Sequence, residues 1–321
     1  MKQSFLSKHP SGVALIIVLW AVSLIATAML GLAVLMERQI GQEVAALQNA
    51  RAMLVAESGI QMVLNPELLP GDVEAASQQL SARLQEGWKV GKAVVPVKFT
   101  IRTEDMKGEG GKVNINALLL GNKAVARAIL QNLFAQWEVS LTTSSALIDA
   151  LLDWVDADQL SSGSNGGTEV NVRNGPFEKI DELEKVVGWA EMAKEARDGR
   201  KGIDAIKKFT VFGTGKLSLR SADQDLIEAF LGLQDGKASE FITARNGQDG
   251  VLGTQDDMVN QSLLGANSSE WADRVNAEEE DLWRVTSTGS VGEATRKVVA
   301  LISRKTNPPQ VKARWTDEES P

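Results

Sequence analysis

The sequence predicts an α+β fold: an N-terminal transmembrane and stalk helix, then an antiparallel sheet interrupted by a large inserted all-α domain. Three observations carry that reading. From Val13 to Met36 there is no formal charge, and Leu, Ile, Val and Ala dominate. Strand-like alternation lies near residue 100 and returns after residue 281. Between these stretches the pattern is mostly helical, so the sheet closes around an insertion.

As a helix, the uncharged run of about 24 residues spans roughly 36 Å, enough to cross a bilayer. Lys2 and Lys8 precede it and favour a cytoplasmic N-terminus, with everything after Glu37 on the far side. A secretory signal peptide has a shorter apolar core and an Ala-x-Ala-like cleavage site, which Thr27-Ala28-Met29 and Gly31-Leu32-Ala33 match poorly. Beyond the membrane, Ile40, Val44, Leu47, Leu54, Val55, Met62 and Val63 recur at helical spacing, with polar residues between them, as far as Asn65-Pro66. The whole is a helix of about 50 residues, roughly 75 Å long. A juxtamembrane linker or coiled coil has the same periodicity.

The soluble part begins with an amphipathic helix from Val73 to Glu86. A strand follows from Ala93 to Thr103, with Pro96 at an edge or strand-start position. Lys112 to Asn116 reads as a short strand before a helix. Helical segments are expected near Lys123 to Trp137, Ser144 to Val155, Lys179 to Val187, Ala190 to Arg197 and Ala222 to Leu231. Phe209 to Phe212 and Lys216 to Leu219 suggest a small hairpin around Gly213-Thr214-Gly215. No Gly-Lys-Ser/Thr ending follows those glycines, so they do not form a phosphate loop. Leu282 to Thr288 and Thr295 to Arg304 suggest a second hairpin around residues 289–293. Pro308-Pro309 and the acidic run Asp317-Glu318-Glu319 mark residues 306–321 as a disordered tail.

Composition excludes several function classes. A net charge of -8 and a pI near 5.0 oppose nucleic-acid binding, which requires Lys and Arg to neutralise phosphates. There is no cysteine, and the one histidine is His9. Thiolate nucleophiles, histidine-dependent triads and the usual zinc sites are therefore absent from the body of the chain. No catalytic residue is assigned, and the chain is read as a non-enzyme. Trp137, Trp189, Trp271 and Trp283 are read as packing or interface residues.

The acidic motifs are the strongest chemical signal. Asp153 and Asp156 lie three apart at a helix end, Asp158 follows, and the run Ser161 to Gly167 leads to Glu169. Carboxylates gathered at a helix C-terminus oppose its dipole unless a cation compensates them. Oxygen ligands on a flexible loop suit calcium, and a solvated acidic loop is the alternative. A tight cluster does not suit glycoside hydrolysis, which needs two carboxyl groups across a cleft. A second loop, Asn246 to Asp257, has Asp249, Asp256 and Asp257 among glycines. It is either a second cation site or a surface turn.

The junction Lys8-His9-Pro10-Ser11-Gly12-Val13-Ala14-Leu15 resembles the prepilin peptidase site of type IV pilins and pseudopilins. The resemblance implies cleavage after Gly12, methylation of the new N-terminus at Val13, and retention of the apolar helix. Most such proteins carry Glu as the fifth mature residue, whereas this chain has Ile17, as is characteristic of the K-type minor pseudopilin family, GspK, of the type II secretion system. Asn114-Ile115-Asn116 resembles a motif at the entrance to that family's helical domain. Asp-Trp-Val-Asp-Ala-Asp (153–158) with Gly166-Gly167-Thr168-Glu169 is similar to its calcium-binding element. The implied ligands are Asp153, Asp156, Asp158 and Glu169. Thr168 stands where Ala is usual, and no acidic residue follows Glu169.

The implied organisation is a leader at 1–12, a transmembrane helix at 13–36, a stalk at 37–65, a pilin-like head at 66–117 and 205–305, an inserted helical domain at 118–204, and the tail. The implied place is the inner membrane, single-pass, with the C-terminal part in the periplasm. The implied role is assembly at the pseudopilus tip in support of protein export. Implied partners are other minor pseudopilins, the major pseudopilin, prepilin peptidase and the inner-membrane secretion platform. A minor type IV pilin, and a single-pass periplasmic calcium-binding or sensory protein with an uncleaved anchor, are the alternatives.

Overall fold

The computed structural model describes residues 11–69, 73–85, 97–101, 106–156, 173–233, 236–252, 254, 256–265, 273–278 and 281–316. The chain has the expected α+β architecture. Helix α1 (Ser11–Leu64) runs unbroken because no proline and no cluster of turn residues interrupts it, and it stops where Asn65-Pro66 stops it. Helix α2 (Val73–Gln85) follows.

The main sheet comprises β1 (Val97–Thr100), β2 (Met106–Gly108), β7 (Leu282–Val291), β8 (Ala294–Ser303) and β9 (Gln310–Thr316). Its order is β1-β7-β8-β9, all antiparallel, and β2 pairs with the other half of β7. Along β7 every second residue is buried. Trp283, Val285 and Val291 from that face join Val298, Ala300 and Ile302 of β8 in one core. The helical side of this core comes from Ala52, Val55, Ala56, Ile60 and Val63 of α1, with Val73, Ala76 and Leu80 of α2. Small residues permit the close seat of α1 on the sheet. A Cβ at Gly289 would overlap the backbone of Ala52 and Ala56, and one at Gly59 would overlap the Ser287 hydroxyl.

A second core belongs to the inserted unit. Its elements are β3 (Val113–Asn114), α3 (Ile115–Leu119), α4 (Lys123–Gln136), α5 (Leu141–Val155), α6 (Trp189–Asp198), β4 (Phe209–Thr210), β5 (Leu217–Ser218), α7 (Gln224–Leu231), α8 (Lys237–Arg245) and β6 (Val275–Asn276). Asn122 caps α4 and Ser140 caps α5 through their side-chain oxygens. At the centre, Phe209 meets Trp137 and Trp189 edge-on, with ring centroids 6.1 and 5.7 Å away. The Trp137 indole N–H donates to Asp225 at 2.8 Å, so the buried ring leaves no unmet donor.

The structure differs from the sequence reading in five places. Residues 205–275, expected in the head, place Phe209, Leu217, Leu226, Phe230, Phe241 and Val275 in the helical core. The hairpin expected at 209–219 does not form. Gly213 and Gly215, with φ of 95° and 86°, turn the chain, but β4 pairs in parallel with β3, and β5 in parallel with β6. The helix expected at Lys179 to Val187 is a 3-10 helix, Ile180–Lys185. The last hairpin turns tightly at Gly292-Glu293, Gly292 having φ 59°, so its strands extend further than alternation suggested. The tail expected to be disordered forms β9 over Gln310–Thr316, because the open edge of β8 offers backbone partners and Trp315 supplies an apolar anchor. Of the expected packing residues, Trp137, Trp189 and Trp283 are buried, and Trp271 lies outside the described residues.

Candidate functional site

The apolar helix is the first candidate. Among the described residues, α1 is the helix long and apolar enough to cross a membrane. From Leu15 to Met36 its large side chains are exposed, Leu15 at 72% and Trp20 at 71%, and burial against the chain's own core begins only near Ala52. Such a length of apolar surface in water would be strongly unfavourable, so it requires lipid or other helices around it. Gly12 and Val13 lie in the first turns of α1, and Ile17 is 62% exposed.

The first acidic element lies at the C-terminus of α5. Asp153 is buried, and Asp156 is the C-cap residue, its N–H donating to Leu152 O at 3.3 Å. Asp156 Oδ2 pairs with Lys123 at 3.3 Å. Its other oxygen, Oδ1, is buried without a hydrogen-bond partner among the described residues. Asp158 and Glu169 lie outside the described residues.

The chain returning from this loop is anchored firmly. Asn116 exchanges two hydrogen bonds with the Phe177 backbone, Nδ2 to O at 2.9 Å and Oδ1 from N at 2.8 Å. The Phe177 ring stacks on Trp154 at 5.4 Å, and Gly175 N donates to Trp154 O. Asn114 caps α3 and donates to the carbonyls of Phe212 and Gly213. The Asn-Ile-Asn motif thus has a physical role: one Asn fixes the entrance to the helical unit, and the other fixes the return limb of the acidic loop.

In the second loop, Asp249, Asp256 and Asp257 gather around the Thr254 hydroxyl, at 3.4, 2.7 and 3.4 Å respectively. That hydroxyl, with the backbone N–H groups of Gln248 and Asp249, holds Asp256 below its ordinary pKa. Gly247 and Gly250 have φ of 67° and 70°, the turns that glycine permits. The carboxylates are brought together, but the hydroxyl occupies their centre. Among the described residues there is no cluster of three or more carboxylates in a metal-holding arrangement.

A third site was not read from the sequence. Glu109, fully buried between the two cores, accepts two hydrogen bonds at 2.6 Å from Arg284 and one at 2.5 Å from Thr210, and pairs with Lys112 at 3.3 Å. Burial alone would raise its pKa. The Arg284 hydrogen bonds, the charges of Lys112 and Arg284, and the Thr210 hydroxyl outweigh burial and hold it below 4.5. Lys112 is pushed down to about 8 by burial, with Glu109 opposing the shift and Arg284 adding to it. The one available signal was an acid isolated among Gly108, Gly110 and Gly111.

A long apolar helix seated on an antiparallel sheet, with a helical unit inserted, defines the class: a pilin-like α+β protein carrying an added helical domain. Residues 111–196 match the family model described as Type II secretion system (T2SS), protein K. Over that segment the chain is similar to type II secretion system protein K. The crystal structure of the GspK-GspI-GspJ complex from the enterotoxigenic Escherichia coli type 2 secretion system contains a chain of similar fold. The TM-score is 0.50 and identity 14%, over 88% of this chain and 99% of that one. No curated protein sequence matches the chain.

Proposed function

We propose that the chain is a minor pseudopilin that assembles at the tip of a periplasmic pseudopilus and supports protein export across the outer membrane. The single observation that carries the reading is the exposed apolar length of α1, continuous with a helix seated on the sheet. An anchor of this form packs against neighbouring helices in the membrane and holds the folded part outside it. Prepilin peptidase would cut after Gly12 and methylate Val13. Ile17 supplies no carboxylate to a neighbouring subunit's N-terminal amine, which suits a subunit with nothing above it.

The partners in this reading are other minor pseudopilins, by analogy with the solved complex, then the major pseudopilin and the inner-membrane platform. Purification of the full-length chain in detergent with two minor pseudopilins of its own secretion system should yield a stable complex. Independent elution of the three would overturn the assembly role.

Calcium belongs to the same proposal. The observation that favours it is the buried Oδ1 of Asp156, without a hydrogen-bond partner among the described residues, three positions from buried Asp153, an oxygen set suited to a hard cation. Asp153 and Asp156 would hold the ion with Asp158 and Glu169, and its charge would offset the carboxylates at the α5 C-terminus. Calorimetry should detect calcium binding that Asp153→Ala and Asp156→Ala abolish, and unchanged binding in both variants would refute the assignment.

A further inference from the structure

We propose that the cleft between the helical unit and the sheet unit binds a small multivalent oxyanion, a polycarboxylate or a phosphate. A cavity of about 720 Å³ opens there, lined from the sheet side by Lys107, Gly108 and Lys112, and from the helical side by Lys207, Lys208 and Arg245. Five cations line it against two carboxylates, Asp204 and Asp223, in a chain whose net charge is -8. The second row, Glu109, Asp225 and Arg284, leaves the balance positive. Cations concentrated in a concave site of low dielectric focus a field that attracts anions.

The cations are not equally committed. Lys208 is bound by Asp223 at 2.7 Å and Asp225 at 3.2 Å, and Lys207 by Asp204 at 2.9 Å on the exposed rim. Arg245 is buried, donating to the carbonyls of Leu219 and Ala222 at 3.0 and 2.7 Å. Lys107 is exposed and forms no ion pair with another described residue. Lys112 shares the carboxylate of Glu109 with Arg284, so its ammonium has less than one full counter-charge, and burial pushes its pKa to about 8. An oxyanion between Lys107 and Lys112 on one wall and Lys207 on the other would supply the missing charge. Glycine lets the two walls meet closely at the floor. A Cβ at Gly111 would stand 2.7 Å from the Ser221 carbonyl oxygen. Because cations stand on both walls, an anion with more than one charge would engage both and clamp the two units together.

The test uses the full-length chain in detergent, titrated calorimetrically with citrate, inorganic phosphate and, as a monovalent control, acetate. Saturable binding of citrate or phosphate, with none of acetate, is expected, and the tighter of the two identifies the source chemistry. Lys107→Glu with Lys207→Glu, both exposed, should weaken binding about tenfold or more. Lys185→Glu, outside the cleft, should not change it. The proposal is overturned if neither anion binds below about 10 mM, or if the double variant binds as the parent does. Hydrogen exchange on the unsubstituted chain gives a reading free of folding effects. Citrate or phosphate must protect 107–112 and 207–208, and protection confined to other segments contradicts the cleft.

Discussion

At the scale of single residues, Glu109 joins the two halves of the molecule. Its carboxylate ties Arg284 of β7 to Thr210 of β4, and Arg284 in turn lies over the Trp315 ring at 5.1 Å. Removing one member of a buried pair leaves the other charge uncompensated, so Glu109→Gln should lower unfolding stability by about 3 kcal/mol. The depressed pKa also sets a pH dependence. The carboxylate's contribution is fully present above its ordinary 4.5 and is lost as pH falls from there through the lower folded value. A series of Tm measurements from pH 3 to 7 should show that loss in the parent and a weaker one in Glu109→Gln. Equal slopes would contradict this account. None of this was legible in the sequence, since Glu109 and Arg284 are 175 residues apart and no periodicity links them. The placement of Asp153 and Asp156 at one helix end was legible, because they are three residues apart where the helical pattern stops.

At the scale of elements, the stalk helix is held to the sheet at both ends of its contact. Near Gly289 the backbones approach too closely for any side chain. At the C-terminus, Arg304 donates to Val63 O at 2.7 Å and to Leu69 O at 3.2 Å while its guanidinium lies over Trp283 at 4.7 Å. A cation placed on the last carbonyls of a helix meets the negative end of its dipole. Gly289→Val should cost about 3 kcal/mol by overpacking this contact, and Arg304→Ala about 2 kcal/mol through lost charged hydrogen bonds. Denaturant unfolding of both variants checks these values, and losses under about 0.5 kcal/mol would show that the seat is not needed. The helix itself was readable, because an uninterrupted apolar run ending at Asn65-Pro66 admits little else. The pairing of short strands was not: β4 and β5 looked like a hairpin because they are neighbours in sequence, yet each finds its partner elsewhere. Strand β9 was hidden by Pro308-Pro309 and the acidic run after it, which lower local propensity without cancelling the open edge of β8.

At the scale of the whole molecule, two cores share one buried ionic junction, and a helix far longer than either core needs projects from one of them. The alternation of Trp283, Val285, Ser287, Gly289 and Val291 made the sheet face readable, while the extent of the helical unit was not. Phe209 and Val275 carry no local mark of which core they enter. The span from Leu15 to Met36 is exposed and is not packed against the other described residues, which fits a single-pass membrane anchor. The most direct test is the N-terminus of the full-length protein after co-expression with prepilin peptidase, read by intact-mass and peptide mass spectrometry. The account predicts a chain beginning at methylated Val13, with Gly12→Ala blocking the cut. An N-terminus intact at Met1 in the presence of active peptidase would contradict it.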